Sequence, residues 1–298
     1  MKKEFIVKKE GRVQDVLRRE ASISRRMVRE LKKHGRFERD GWPLEHYDML
    51  SEEDRLSVFF PEIEVYPYEP GHEPLDVVYE DEDLLLINKP AGIAVTPSAI
   101  HPHNTVVQNV LGHYERQNLK RTVHLVTRLD KDTSGLLLIA KHPYIHSLFY
   151  NREQKLSRTY VALAEGILKE KSGSVKSPIG RAKDSIIQRE VLSEGKPAVT
   201  HYEVLKEEEA RSVLRLKLET GRTHQIRVHL SSIGHPLVGD TLYGEGDDFR
   251  LTSGQALHSA ELAFTHPWTG EEMHFHSSPS FCSKEANFSG WKEREEGT

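Results

Sequence analysis

Cys282 is the single cysteine in 298 residues, so an intramolecular disulfide is excluded and a cysteine-built zinc site has no basis. No apolar run approaches the roughly 20 residues that a membrane-spanning helix needs. Met1-Lys2-Lys3-Glu4 leads into charge, not into the apolar core of a secretory signal. The chain has no Gly-x-x-x-x-Gly-Lys-Ser/Thr loop and no His-Glu-x-x-His, which argues against P-loop phosphate chemistry and the zinc-protease pattern. Internal repeats and low-complexity tracts are also missing. The histidine pairs His101/His103 and His274/His276 lack a third ligand at metal-binding spacing, so no metal is expected. With 37% hydrophobic residues, the expectation is a soluble, cytoplasmic, monomeric protein with one large domain or a catalytic domain plus a small module.

Excess positive charge is missing too, since the net charge is -4. Its distribution matters more than its total. Residues 1–36 hold 13 basic and five acidic side chains, giving +8 there and -12 over the rest. A polyanion senses the local field within a Debye length of roughly 8–10 Å, so the N-terminal end is a candidate polyanion contact.

The texture along the chain predicts a small basic domain over 1–61, a Pro- and acid-rich linker over 62–76, a catalytic domain over 77–285 and a charged tail over 286–298. The linker should let the small domain move relative to the large one. Ser22-Ile23-Ser24 suits a helix N-cap. In the helix that follows, Ile23, Met27, Val28 and Leu31 fall on one side, and Arg25, Arg26, Arg29, Lys32 and Lys33 on the other. Val13, Val16 and Leu17 indicate a preceding short helix, and Asp40-Gly41 a turn. This segment resembles, over about residues 10–60, the small RNA-binding domain shared by a ribosomal small-subunit protein, some tRNA synthetases and many RNA modifiers. The resemblance implies that the basic face contacts RNA.

In Arg128-Leu129-Asp130-Lys131-Asp132-Thr133-Ser134-Gly135-Leu136-Leu137-Leu138-Ile139-Ala140, a short apolar run predicts a buried strand. The polar residues before it form a loop at the sheet end, a place where catalytic groups are often found. An aspartate before a strand is ordinarily a turn residue. Here the segment resembles the signature of the RluA family of pseudouridine synthases, with Thr127 where that family usually has His. Further matching motifs follow in order: Asn88-Lys89-Pro90-Ala91-Gly92, Ser157-Arg158-Thr159-Tyr160-Val161-Ala162, Thr220-Gly221-Arg222-Thr223-His224-Gln225-Ile226-Arg227-Val228-His229, His235-Pro236-Leu237-Val238-Gly239-Asp240 and Leu257-His258-Ser259.

The resemblance implies an α+β protein: a pseudouridine synthase fold with a mixed, mostly antiparallel sheet and a central cleft, plus the small N-terminal α/β domain. It implies an isomerase that detaches uracil from ribose, turns it and rejoins it through ring carbon 5. Substrate and product are isomers, so no cofactor is required. Asp130 is the implied nucleophile or base. Arg227 is the implied cation offsetting the desolvation of that carboxylate, and Tyr160 the ring that stacks on the uracil. Arg128 is implied to fill the gap left by a flipped nucleotide. Lys89 and Arg222 are expected to contact phosphate or shape the pocket. His224 lies three residues from Arg227 on one helix face, and Thr223 should cap that helix. Ribosomal RNA of the large subunit is the favoured substrate, with tRNA or a non-catalytic ribosome-assembly role as alternatives.

Overall fold

The computed structural model describes residues 1–61, 67–150, 156–244 and 254–281. None of the described helices is long and apolar enough to cross a membrane. Cys282 and the charged tail lie outside the described residues, as does 62–66 of the expected linker.

The N-terminal part runs β1 (Lys2–Ile6), β2 (Gly11–Arg12), α1 (Val13–Arg19), α2 (Arg25–His34), β3 (Arg36–Arg39), β4 (Trp42–Leu44), β5 (Met49–Leu50) and β6 (Arg55–Phe59). Its main sheet has the order β1-β6-β3-β4, antiparallel throughout. Ser24 caps α2 by accepting from the Met27 N–H at 3.2 Å. Ile23, Val28 and Leu31 are buried, whereas Arg25, Arg26, Arg29, Lys32 and Lys33 are exposed. Asp40 (φ 50°) and Gly41 (φ 86°) join β3 to β4 with positive φ at both positions, the backbone that a two-residue hairpin turn prefers.

The larger part runs β7 (Val77–Glu80), β8 (Leu84–Lys89), α3 (Val106–Arg116), β9 (His124–Leu125), β10 (Ser134–Ala140), α4 (Pro143–Leu148), β11 (Ser157–Glu165), β12 (Ser172–Lys176), β13 (Ile179–Arg181) and β14 (Arg189–Val191). It continues through β15 (Val199–Glu208), β16 (Arg211–Leu218), α5 (Gln225–Ser232), β17 (Leu257–Thr265) and β18 (Glu272–His276). Ten of these strands form one sheet with the spine β12-β15-β16-β11-β17-β10-β8-β7, β9 adding to β10 and β18 to β17. The β10–β17 pair is parallel and the other pairs are antiparallel. The sheet is therefore mixed and mostly antiparallel, as expected for this fold.

Gly135 sits where β10 meets β17. Its φ is +104°, and a Cβ there would lie 2.3 Å from the Ser259 carbonyl oxygen. Only glycine lets the two strands approach this closely just after the loop that carries Asp130.

Leu84–Ile87 and Leu136–Ile139 are apolar at every position, which suits strands covered on both faces. Leu84, Leu86, Leu136 and Leu138 share an apolar cluster with Val13, Leu17, Leu56 and Phe60 of the N-terminal part. Leu85, Ile87, Leu137 and Ile139 face the opposite way, toward Val107 and Val110 of α3. The N-terminal part is thus one cover of the central sheet. Phe60 stacks on Tyr144 at 4.8 Å, and the Tyr144 hydroxyl donates to the Ala21 carbonyl at 2.8 Å. Lys3 Nζ donates to Asp83 Oδ2 at 2.6 Å with both side chains buried, and the ammonium lies over the Trp268 ring. These contacts overturn the expectation of an independently moving N-terminal module: separating it would uncover apolar strands and break a buried ion pair.

Candidate active site

Asp130 stands on a loop pinned at several points. The Val126 N–H donates to the Leu138 carbonyl at 2.9 Å, and Thr127 Oγ1 accepts from the Leu138 N–H at 2.9 Å. Thr127 is buried, so its role is to lock the loop against β10. Leu129 is buried beside it, and the Thr133 N–H donates back to the Asp130 carbonyl at 3.2 Å. From the other side, Lys89 Nζ donates to the carbonyls of Pro90, Ile93 and Lys131 at 2.8–2.9 Å. Lys89 is 1% exposed, with all three donors spent on backbone oxygens. It cannot reach a phosphate, so the expected RNA contact is corrected to a buried brace for the 89–93 turn and the Asp130 loop.

Arg227 projects from α5 and joins two carboxylates. Its Nη1 donates to Asp130 Oδ2 at 3.1 Å, while Nε and Nη2 donate to Asp240 Oδ2 and Oδ1 at 2.7 and 2.8 Å. Asp240 is fully buried and also accepts from the N–H groups of Leu242 and Tyr243. Burial works against the Arg227 charge, but Asp240, joined by Asp130, holds the guanidinium above the ordinary arginine value.

The expected Thr223 cap is absent. The residue at the start of α5 is His224, with φ 56° and no side-chain cap. The preceding turn is closed instead by Gln225, whose Oε1 accepts from Thr220 Oγ1 and the Arg222 N–H at 2.8 and 3.0 Å. That geometry turns His224 inward. Its Nε2 lies 3.9 Å from Asp130 Oδ1 and its Nδ1 2.8 Å from the Tyr243 hydroxyl. Burial draws the imidazole below its usual range; Arg227 and Arg189 add to this, while Asp130 and Asp240 oppose it.

Tyr160 follows a register shift in the β11–β17 pairing, between Thr159 and Tyr160. Such irregularities re-aim side chains at sheet positions beside clefts. The ring is buried and lines a cleft of about 580 Å³ together with Asp130. Burial raises its hydroxyl above the usual tyrosine value, with Asp130 adding and Arg158 and Ser259 opposing. The phenol is therefore neutral near pH 7.

Among the described residues, the same cleft is lined by Arg128, Lys131, Arg158 and Arg222 and by one acid, Asp130. Arg128 is exposed two residues before Asp130, and Arg222 stands at the lip with Nε donating to the Pro197 carbonyl at 3.0 Å. The structure thus gathers Asp130, Tyr160, Arg128 and Arg222 at one cleft, with Arg227 and His224 set beside Asp130. It leaves Arg25, Arg26, Arg29, Lys32 and Lys33 on the N-terminal part, where Arg18, Arg19 and Arg25 border a separate open hollow.

Three residues at the site escaped sequence reasoning. Asp240 had a signal: a guanidinium carries five donors, so one carboxylate could not satisfy a buried Arg227. Arg158 lay in a quoted motif without a role, and its buried Nε has no partner among the described residues. Tyr243 carried no signal.

Around the site, His258 accepts from Ser134 Oγ at 2.8 Å and sits 3.1 Å from the Ser277 carbonyl. Burial draws it down to about 4, with the Ser277 carbonyl opposing. An unfolded histidine protonates near pH ~6.5. Between about pH 6.5 and 4 the unfolded chain therefore binds more protons than the folded one. The stability this group carries is complete above that window and lost as pH falls through it. Urea midpoints are expected to drop between about pH 7 and 5, and His258→Gln to make the drop shallower. An identical drop in that variant would remove His258 as its source.

Comparison with known proteins gives a consistent picture. Residues 83–232 match the family model described as RNA pseudouridylate synthase. An RNA pseudouridine synthase of Bacillus subtilis, YjbO, is 44% identical over 265 residues, covering 87% of this chain and 92% of its own. Ribosomal large subunit pseudouridine synthase D of Vibrio parahaemolyticus is 44% identical over 218 residues, 68% of this chain and 67% of its own. Among solved structures, human RNA pseudouridylate synthase domain containing 1 superposes with a TM-score of 0.59 at 28% identity, covering 72% of this chain and 87% of its own.

Proposed function

The chain belongs to the RNA pseudouridylate synthase family, isomerases acting on RNA, and from this premise we propose that it converts uridines of large-subunit ribosomal RNA with Asp130 as the essential carboxylate and no cofactor. The observation that supports this best is the Asp130–Arg227 pair at a cleft whose described residues set four basic side chains around a single acid. A phosphodiester backbone fits that charge pattern, while the lone carboxylate is left for chemistry. The ribosomal target is carried over from the name of the synthase D relatives.

The residues divide the work by reach. A uridine inside a stem must leave its stack, at a cost of a few kcal/mol. Arg128, exposed beside the nucleophile, fills the vacated space. Arg222 and Arg158 take phosphates at the lip. Tyr160 offers its face to the uracil, and as a neutral phenol it donates a hydrogen bond without adding a second negative charge. Arg227 keeps one Asp130 oxygen occupied, so the other meets the nucleotide. The isomerisation is internally balanced, since the carbon 5 hydrogen departs as a proton and the ring nitrogen gains one.

The basic face of α2 supplies further affinity. Residues 1–61 share a core with the catalytic sheet, so their deletion would damage the fold. Changing Arg25, Arg26, Arg29, Lys32 and Lys33 to glutamine is the cleaner test. The slope of log affinity against log salt should fall by about two to four, with the rate at saturating RNA kept within about twofold. An unchanged slope would remove α2 from the interface.

Mapping pseudouridines transcriptome-wide in wild-type and deletion strains tests the target. Loss at one or a few large-subunit positions is expected. Loss confined to tRNA, or no loss anywhere, contradicts the ribosomal assignment.

A further inference from the structure

Asp130 presents two unequal oxygens. Oδ2 accepts from Arg227, whereas Oδ1 accepts no hydrogen bond among the described residues and has His224 Nε2 as its polar neighbour at 3.9 Å. That gap is too long for a hydrogen bond. It leaves room for a nucleotide engaged by Oδ1 to set one of its oxygens against the imidazole as well.

The protonation of His224 follows from its other neighbour. The Arg189 N–H donates to the Tyr243 hydroxyl oxygen at 2.8 Å, and that hydroxyl lies 2.8 Å from His224 Nδ1. With one lone pair of the tyrosine oxygen engaged, and with Nδ1 the acceptor within reach of its proton among the described residues, the hydroxyl is read as the donor and Nδ1 as the acceptor. A neutral His224 then carries its own proton on Nε2, the nitrogen that faces Asp130. The Tyr243 ring is held in turn by the Arg227 guanidinium, 5.0 Å from its centroid. Arg189 comes from β14, His224 from the cap of α5 and Tyr243 from the turn after Asp240, so three separate elements converge on this orientation.

We propose that Asp130 reacts through Oδ1, that His224 is a further catalytic residue donating a hydrogen bond from Nε2 to a uracil oxygen of the nucleotide engaged there, and that Tyr243 is the positioning residue that keeps the proton on that nitrogen. This rests on Asp130 being the essential carboxylate. His224 makes and breaks no covalent bond; it stabilises the negative charge that the uracil gains when Asp130 attacks the nucleotide or removes its proton. The groups facing it are Asp130, Asp240, Arg227, Arg189 and Tyr243, and in this field burial keeps the imidazole neutral.

The test uses the full-length protein with total RNA from a strain lacking the gene, labelled with tritium at uracil carbon 5, in single-turnover reactions at saturating enzyme. His224→Leu removes the donor and should slow the reaction on the order of 10²-fold. RNA affinity should stay within about threefold, because the side chain lies inside the site. His224→Gln keeps an uncharged N–H near the Nε2 position and should recover most of that loss. Tyr243→Phe keeps the ring over Arg227 and frees the imidazole to change tautomer; a rate about tenfold lower is expected, with little change in affinity. Thermal unfolding of each variant separates a folding defect from a rate defect. A wild-type rate in His224→Leu, a His224→Gln variant as slow as His224→Leu, or a loss of affinity with an unchanged saturating rate would each overturn the proposal. Asp130→Asn run in parallel reports on the underlying premise: full activity there would refute the role of Asp130 itself, whatever the histidine variants do.

Discussion

Arg227→Met is expected to destabilise the protein by about 3–5 kcal/mol and to abolish uridine isomerisation. Both effects come from one guanidinium serving two carboxylates. Asp240 is fully buried, and without Arg227 its donors among the described residues are the backbone N–H groups of Leu242 and Tyr243, set against a full negative charge. Asp130 loses the group that fixes Oδ2. The two losses separate in a double variant. Adding Asp240→Asn removes the stranded charge, so Arg227→Met/Asp240→Asn should recover part of the stability and none of the activity. Arg227→Lys keeps the charge but not the fork that holds Asp240 bidentately, and should fall between wild type and Arg227→Met in both respects. Urea unfolding and single-turnover rates measure these outcomes. A stable, active Arg227→Met protein would show that the pairing is incidental.

Asp130→Asn is expected to lower the isomerisation rate by at least about 10⁴-fold, on the scale seen when other enzymes lose a nucleophile. The amide retains an acceptor for Arg227, so stability should change by no more than about 1 kcal/mol. Binding should move the other way. Among the described residues, Asp130 is the one acid in a cleft with four basic side chains. Removing its charge relieves repulsion with a phosphate roughly 10 Å away by about 1–2 kcal/mol at the effective dielectric of a protein surface. RNA should then bind as well as to wild type or a few-fold tighter. This split between rate and affinity distinguishes a carboxylate used in chemistry from one used in recognition. Weaker binding with a retained rate at saturation would mark Asp130 as an RNA contact.

What could be read from the sequence was local or carried by ordered motifs. Ser24 caps α2, and the apolar and basic faces of that helix divide as their spacing dictates, because helical periodicity acts over neighbouring residues. The apolar run before Lys141 is β10, and the Asp130 loop enters it at Gly135. The meeting of Asp130, Tyr160 and Arg227 was implied by the family resemblance and not by spacing, since Asp130 and Arg227 lie 97 residues apart. For Lys89 the sequence left phosphate contact and a structural role both open, because a lysine at a strand end ordinarily reaches water; three carbonyls converge on it only through the 90–93 turn and Lys131. Thr223 lost the cap to a turn closed by the Gln225 side chain. The docking of the N-terminal part had a sign that went unused. Leu84–Ile87 and Leu136–Ile139 are apolar at every position, and such strands need a cover on both faces. The Pro-rich stretch after residue 61 suggested freedom, but the apolar clusters and the Lys3–Asp83 pair decided otherwise.

The most direct test of the account is tritium release from RNA labelled at uracil carbon 5, in single turnover, comparing wild type with Asp130→Asn at equal folded concentration. Rejoining uracil through carbon 5 must expel that hydrogen, so release counts isomerisation events without knowledge of the target. Wild type should release one tritium for each pseudouridine formed, and Asp130→Asn should release none above background while still binding the RNA. Release by Asp130→Asn at the wild-type rate would contradict the central claim that this carboxylate carries the reaction.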